Sequence, residues 1–182
     1  MKVHVTNIPD VFVLEPQVFG DDRGFFLESW NQKTLKSQAG IDEIFVQDNH
    51  SKSSKGVLRG LHYQLEQPQG KLVRVVTGRV LDVAVDIRRS SPTFGQHFSI
   101  ELNDQNHFQL WVPPGMAHGF LVLSDTADFM YKATNYYAPQ YERSILWNDV
   151  DLDIDWKLDD MVPSLSDKDK NGVSFKNAEY YD

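Results

Sequence analysis

No cysteine occurs among the 182 residues, which removes disulfides, thiolate metal sites and cysteine nucleophiles together. Positive charge is scarce as well: 18 Lys and Arg stand against 26 Asp and Glu, for a formal charge of -8. Non-specific nucleic-acid binding needs a basic surface that displaces counterions from phosphates, so nucleic acid is not an expected partner. Long apolar runs are missing too. The first thirty residues break every apolar stretch with Asp, Glu, Asn or Pro within a few positions, which neither a signal-peptide core nor a membrane span tolerates. These absences read as a soluble, untargeted, cytoplasmic protein without a membrane partner. No repeat, Gly/Ser linker or low-complexity tract divides the chain. One domain over residues 1–182 is expected, of a size that buries a core without staples.

What is present is a period of two. Phe98, Ile100 and Leu102 alternate with polar neighbours, and Leu81, Val83, Val85 and Ile87 lie opposite Asp82, Ala84 and Asp86, the pattern of half-buried strands. Turn signals at Thr77-Gly78, Ser90-Ser91-Pro92, Asn103-Asp104 and Pro113-Pro114-Gly115 space these strands as in a sandwich or barrel. One short helix is predicted over Asn31 to Ala39, closed by Gly40, and a second near the C-terminus. Residues 148–182 carry ten acids and four lysines, leaving the body nearly neutral. In DVDLDIDW, acids alternate with Val150, Leu152 and Ile154, which suits a solvated edge or a strap against the barrel.

Six histidines are present, and His4, His50, His97 and His107 sit among polar strand or turn residues where a satisfied surface histidine is the ordinary outcome. His62 in GVLRGLHYQ and His118 in PPGMAHGF stand differently. Gly56, Gly78 and the run Pro113-x-Gly115-x-x-His118 give their surroundings a spacing that resembles the two cupin motifs. A metal cupin would add a histidine two after the first, a nearby glutamate, and a ligand four past His118. This chain has Gln64, Glu66 and Val122 there, a poor donor set for a transition metal, so no metal is expected. Beside these motifs stand Lys71, entering the apolar alternation KLVRVV, and Tyr131, in DFMYKATNYY. His62 is the side chain suited to act as base at neutral pH, Lys71 can hold an oxyanion, and Tyr131 can transfer a proton. Each has an ordinary structural role as well, and sequence does not show that they converge.

Long stretches closely resemble the dTDP-4-dehydrorhamnose 3,5-epimerase family: FGDDRGFFLESW, FVQDNHSKSSKGVLRGLHYQ, GKLVRVVTGRVLDVAVDIRRSSPTFGQ and LWVPPGMAHGFLVLSDTADFMYKATNYYAPQYERSILWND. The resemblance implies an all-β fold, a cupin-type double-stranded β-helix (jelly-roll barrel) with a few short helices, assembled as a homodimer. It implies inversion of C3 and C5 of dTDP-4-dehydro-6-deoxy-D-glucose, without cofactor, to give dTDP-4-dehydro-L-rhamnose. His62 would be the base, Tyr131 the acid, Asp169 the carboxylate that orients His62, and Lys71 the enolate's partner. Arg23, Glu28, Gln47, Asp48, Asn49, Arg59, Lys71, His118, Glu142 and Lys168 would bind substrate, and Tyr137 would stack on thymine. Strict alternation puts Arg59 opposite His62, unless Gly60 bends the strand or Arg59 serves a neighbouring subunit. A metal-dependent cupin, a non-catalytic sugar-nucleotide binder, and barrels that invert one carbon or shift a keto group remain alternatives.

Overall fold

The computed structural model describes residues 1–181. Their strands are β1 Lys2–Val5, β2 Phe12–Glu15, β3 Val18–Asp21, β4 Gly24–Leu27, β5 Gln47–Ser54, β6 Leu58–Gln64, β7 Lys71–Thr77, β8 Arg79–Asp86, β9 His97–Asn103, β10 Gln109–Val112, β11 Met116–Val122, β12 Thr126–Ala133 and β13 Glu142–Ser144. The α-helices are α1, Gln32–Ala39, and α2, Asp167–Lys170. Strands β1-β2-β10-β7-β12-β5 form one sheet, β13-β6-β11-β8-β9 a second, and β3-β4 a separate hairpin. The two large sheets face each other. Val73 and Phe129 from the first share one core with Val80, Ala84 and Phe120 from the second. This is the expected jelly-roll barrel. No helix among the described residues is long and apolar enough to cross a membrane.

The helix prediction holds in detail. The Asn31 side chain accepts from the Lys33 and Thr34 amides, and Gly40 closes α1 at φ 70°. Leu35 then packs with Leu14, Leu72 and Trp111 on the outside of the six-stranded sheet.

Strand β8 differs from expectation. Its alternation predicts a half-buried strand, yet every residue from Val80 to Asp86 is buried. Leu81, Val83, Val85 and Ile87 face away from the barrel and are covered by Leu152, Trp156 and Ala178 of the C-terminal segment, while Ala84 belongs to the interior core. Asp82 shares that inward face, so the polar side of the alternation points into the barrel. Of the two readings of its alternation, solvated edge or strap, the segment around Trp156 is thus a strap, and the Trp156 indole donates to the Trp147 carbonyl at 2.7 Å.

Candidate active site

The period of two selects what enters the barrel. On β5 the half-buried positions are Gln47, Asn49 and Ser51, followed by buried Ser53. On β7 and β12 the face that carries Val73, Val75, Ala127 and Phe129 also carries Lys71 and Tyr131. Tyr131 lies opposite Asn49 on one side and Val73 on the other. Strand β6 does not keep the period. Leu58 and Leu61, three apart, pack in the same outer core, and the pairing with β11 shifts register between His118 and Phe120. Gly60, at φ 124°, absorbs the extra residue. A Cβ there would lie 2.5 Å from the Gly119 Cα, so only glycine fits. The slip returns Arg59 to the side of His62, where its guanidinium donates to the Ser53 hydroxyl at 3.1 Å.

His62 Nε2 donates to Asp169 Oδ1 at 2.6 Å. Burial pushes the imidazole below its usual pKa, and the bond to Asp169 opposes that shift without cancelling it. Asp169 accepts three bonds in all: from His62, from the Gly60 amide at 3.1 Å on the same oxygen, and from the Ser166 hydroxyl at 2.5 Å on the other. Burial alone would raise this carboxyl, but those bonds hold it at about 2. Asp169 is therefore an acceptor only, the Nε2 proton stays between the pair, and Nδ1 is left free.

Lys71 is half-buried, its Nζ 5.8 Å from the centre of the Tyr131 ring. Burial lowers the ammonium to about 8 against the pull of Asp82 and Glu142. Burial and the charge of Glu142 raise the Tyr131 phenol, which Arg59 partly offsets. Glu142 accepts from Lys168 at 2.8 Å and from the Tyr137 hydroxyl at 3.0 Å. Those partners outweigh its burial and lower its pKa. Gln47 ties the rim together, accepting from the Tyr137 amide at 2.9 Å and donating to Asn49 Oδ1 at 3.0 Å. The buried Nδ2 of Asn49 has no protein partner, which leaves its amide N–H group free to donate to a ligand. His118 is buried, its Nε2 donating to the Asp82 carboxylate at 3.0 Å. The two histidines in cupin-like surroundings are thus each paired with an aspartate.

The fold gathers His62, Tyr131, Lys71, Gln47, Asn49, His118 and Glu142 around one end of the barrel, with Asp169 and Lys168 brought there by α2 and with Arg59, Tyr137 and Lys168 on the exposed rim. Three expected residues lie elsewhere. Asp48 is on the opposite face of β5 from its neighbours and accepts from Lys132 at 2.8 Å, as alternation requires. Arg23 is on the β3-β4 hairpin, its side chain 90% exposed and paired with Asp21. Glu28 accepts from Asn31 at 2.9 Å at the start of α1. Two residues of the site carry no functional signal in the sequence: Asp82, which shows only as the polar side of the β8 alternation, and Ser166, whose one signal is a serine three residues before an aspartate, the spacing of an N-cap.

A family model described as dTDP-4-dehydrorhamnose 3,5-epimerase matches residues 5–177. The dTDP-4-dehydrorhamnose 3,5-epimerase of Shigella flexneri is 58% identical over 182 residues, spanning 100% of this chain and 99% of its own length. The crystal structure of dTDP-6-deoxy-D-glucose-3,5-epimerase from Legionella pneumophila Philadelphia 1, in complex with dTDP-4-keto-L-rhamnose, superposes with a TM-score of 0.95 at 50% identity, over 98% of this chain and 94% of that one. A 3'-monoepimerase from Streptomyces bikiniensis, in complex with dTDP-quinovose, superposes with a TM-score of 0.90 at 34% identity, over 96% of this chain and 88% of that one.

Proposed function

The chain belongs to the dTDP-4-dehydrorhamnose 3,5-epimerase family, and from that premise we propose the route by which its barrel inverts a sugar. It is an isomerase that inverts C3 and C5 of dTDP-4-dehydro-6-deoxy-D-glucose to give dTDP-4-dehydro-L-rhamnose. The C4 ketone acidifies the hydrogens on both neighbouring carbons. His62 Nδ1 takes one of them, and the C–H electron pair moves onto the C4 oxygen as an enolate. The Lys71 ammonium holds that oxyanion, an interaction of the kind worth roughly 10²–10³ in rate. The Tyr131 hydroxyl then delivers a proton to the opposite face of the same carbon, and both side chains recover their protonation through solvent. The observation that carries this reading is positional: His62, held by Asp169 of α2, stands on the five-stranded sheet and Tyr131 on the six-stranded sheet, so a sugar between them meets base and acid on opposite faces.

Binding divides along the same lines. Arg59 suits the diphosphate. Asn49 Nδ2 supplies a free donor, His118 on Asp82 a fixed imidazole, and Tyr137 a ring for the thymine. The active unit is a homodimer, in which the hairpin that carries Arg23 reaches the second copy. Nucleotide sugars are made and used inside cells, which places the enzyme in the cytoplasm.

Incubation with dTDP-4-dehydro-6-deoxyglucose in heavy water, followed by NMR, tests the reading directly. Deuterium should enter at both C3 and C5 of the product. Deuterium at C3 alone would make the chain a single-carbon epimerase, and binding without any exchange would make it a binding module.

A further inference from the structure

We infer that Gln64 is a positioning residue for the nucleotide base, acting through Tyr137; this rests on the stacking role proposed for that ring. Gln64 ends β6 two residues after His62, at the place where a metal cupin would carry a second histidine. Its side chain is buried and fully engaged with the main chain. Nε2 donates to the Gln67 carbonyl at 2.8 Å and to the Tyr136 carbonyl at 3.3 Å, and Oε1 accepts from the Ala138 amide at 2.9 Å. Two of the three bonds therefore grip the residues immediately before and after Tyr137.

Tyr137 needs such a grip. It lies outside the regular strands, between β12 and the short turn at Pro139–Tyr141, and its ring is half out in solvent. Apart from the Gln64 bonds, its segment is held by the Tyr137 amide on Gln47, by the Tyr137 hydroxyl on Glu142 and, two residues earlier, by the Gln69 side chain donating to the Asn135 carbonyl at 2.8 Å. A base that stacks on a ring already fixed does not spend binding energy on ordering the loop. The chemistry at position 64 is selective for an amide. Leucine fills the space and makes none of the bonds, and glutamate keeps the acceptor for Ala138 but turns bare oxygen toward two carbonyls. Gln64 thereby links the strand that holds the base His62 to the loop that reads the nucleotide.

The test is a double-mutant cycle read by calorimetric titration with dTDP. Gln64→Leu should raise Kd roughly tenfold, as should Gln64→Glu, which guards against a Leu variant that does not fold. In a Tyr137→Ala background the same Gln64 changes should move Kd by less than about twofold, because the ring they position is gone. With substrate, KM should rise while kcat at saturation stays within about threefold of the parent, a split that general damage to the barrel does not produce. Losses that add in full to those of Tyr137→Ala, or a Gln64→Glu protein that binds dTDP like the parent, would overturn the inference alone. A Tyr137→Ala protein that binds dTDP as tightly as the parent would overturn the stacking role itself and the inference with it.

Discussion

His62 and Tyr131 approach from facing sheets, so removing one should not mimic removing the other. His62→Asn has no base, and it should lose both inversion and solvent exchange at C3 and C5 by roughly 10²-fold or more. Tyr131→Phe deletes one hydroxyl with little change of shape, and enolates can still form on the His62 side. It should wash deuterium from labelled substrate while yielding little product inverted at C5; near-normal C5 inversion would remove Tyr131 from the mechanism. Acidity adds a second check. The base works when neutral, and burial sets the His62 pKa below its ordinary 6.5, so activity should fall on acidification only below that value. Lys71 works when charged, and its pKa of about 8 means the ammonium is lost as pH rises through that value. The profile of kcat/KM should therefore be a bell with its alkaline limb near 8. Lys71→Arg keeps its charge far above that pH, so whatever activity it retains should lose the alkaline limb. An unchanged limb would assign it to another group.

Strand β6 shows how an element can carry chemistry that its alternation hides. The slip at Gly60 brings Arg59 and His62 to one side and aims the Gly60 amide at Asp169. Gly60→Ala should destabilise the protein by roughly 2 kcal/mol or more, because φ 124° strains any Cβ and Gly119 lies 2.5 Å from where it would go. The urea midpoint measures this, and a midpoint equal to the parent's would mean that the strand repacks without the slip. Much of the fold was legible because its signals are local: Asn31 and Gly40 mark the ends of α1, and the Gly and Pro turns separate the strands. The inversion of β8 was not legible, since alternation tells two faces apart without saying which one a distant segment will cover. The same limit hid the tail. Phe175, Ala178, Tyr180 and Tyr181 pack on the outer face of the five-stranded sheet and close the strap over β8, yet in sequence they form no period. Asp169 lay in a charged run that resembles a solvated surface, and only family resemblance singled it out. Its real environment is set by Ser166, Gly60 and His62, the last two more than a hundred residues away.

At the scale of the whole molecule, the β3-β4 hairpin is the part that a single chain leaves unexplained. Phe19 and Phe26, paired across the hairpin on one face, are 57% and 70% exposed, and Phe25 on the other face, beside His107, is 62% exposed, more aromatic surface than a lone chain usually presents. The hairpin also carries Arg23, which the family pattern assigns to substrate, although its guanidinium here meets Asp21. Both facts are met if the hairpin packs on a second copy and lends Arg23 to that copy's site. Sedimentation should then find a dimer, and Phe25→Ser with Phe26→Ser should weaken it. The sharper test mixes two defective chains. Arg23→Ala retains its own His62 but lends no arginine, whereas His62→Asn lends its arginine but has no base. If Arg23 acts across the interface, a heterodimer of the two holds one complete site, with His62 from the first chain and Arg23 from the second. Co-refolded mixtures should accordingly regain activity well above the sum of the two separate preparations, approaching a quarter of the parent rate per chain if the chains pair at random. If Arg23 serves its own chain, every site in the heterodimer lacks either the arginine or the base, and mixing should restore nothing.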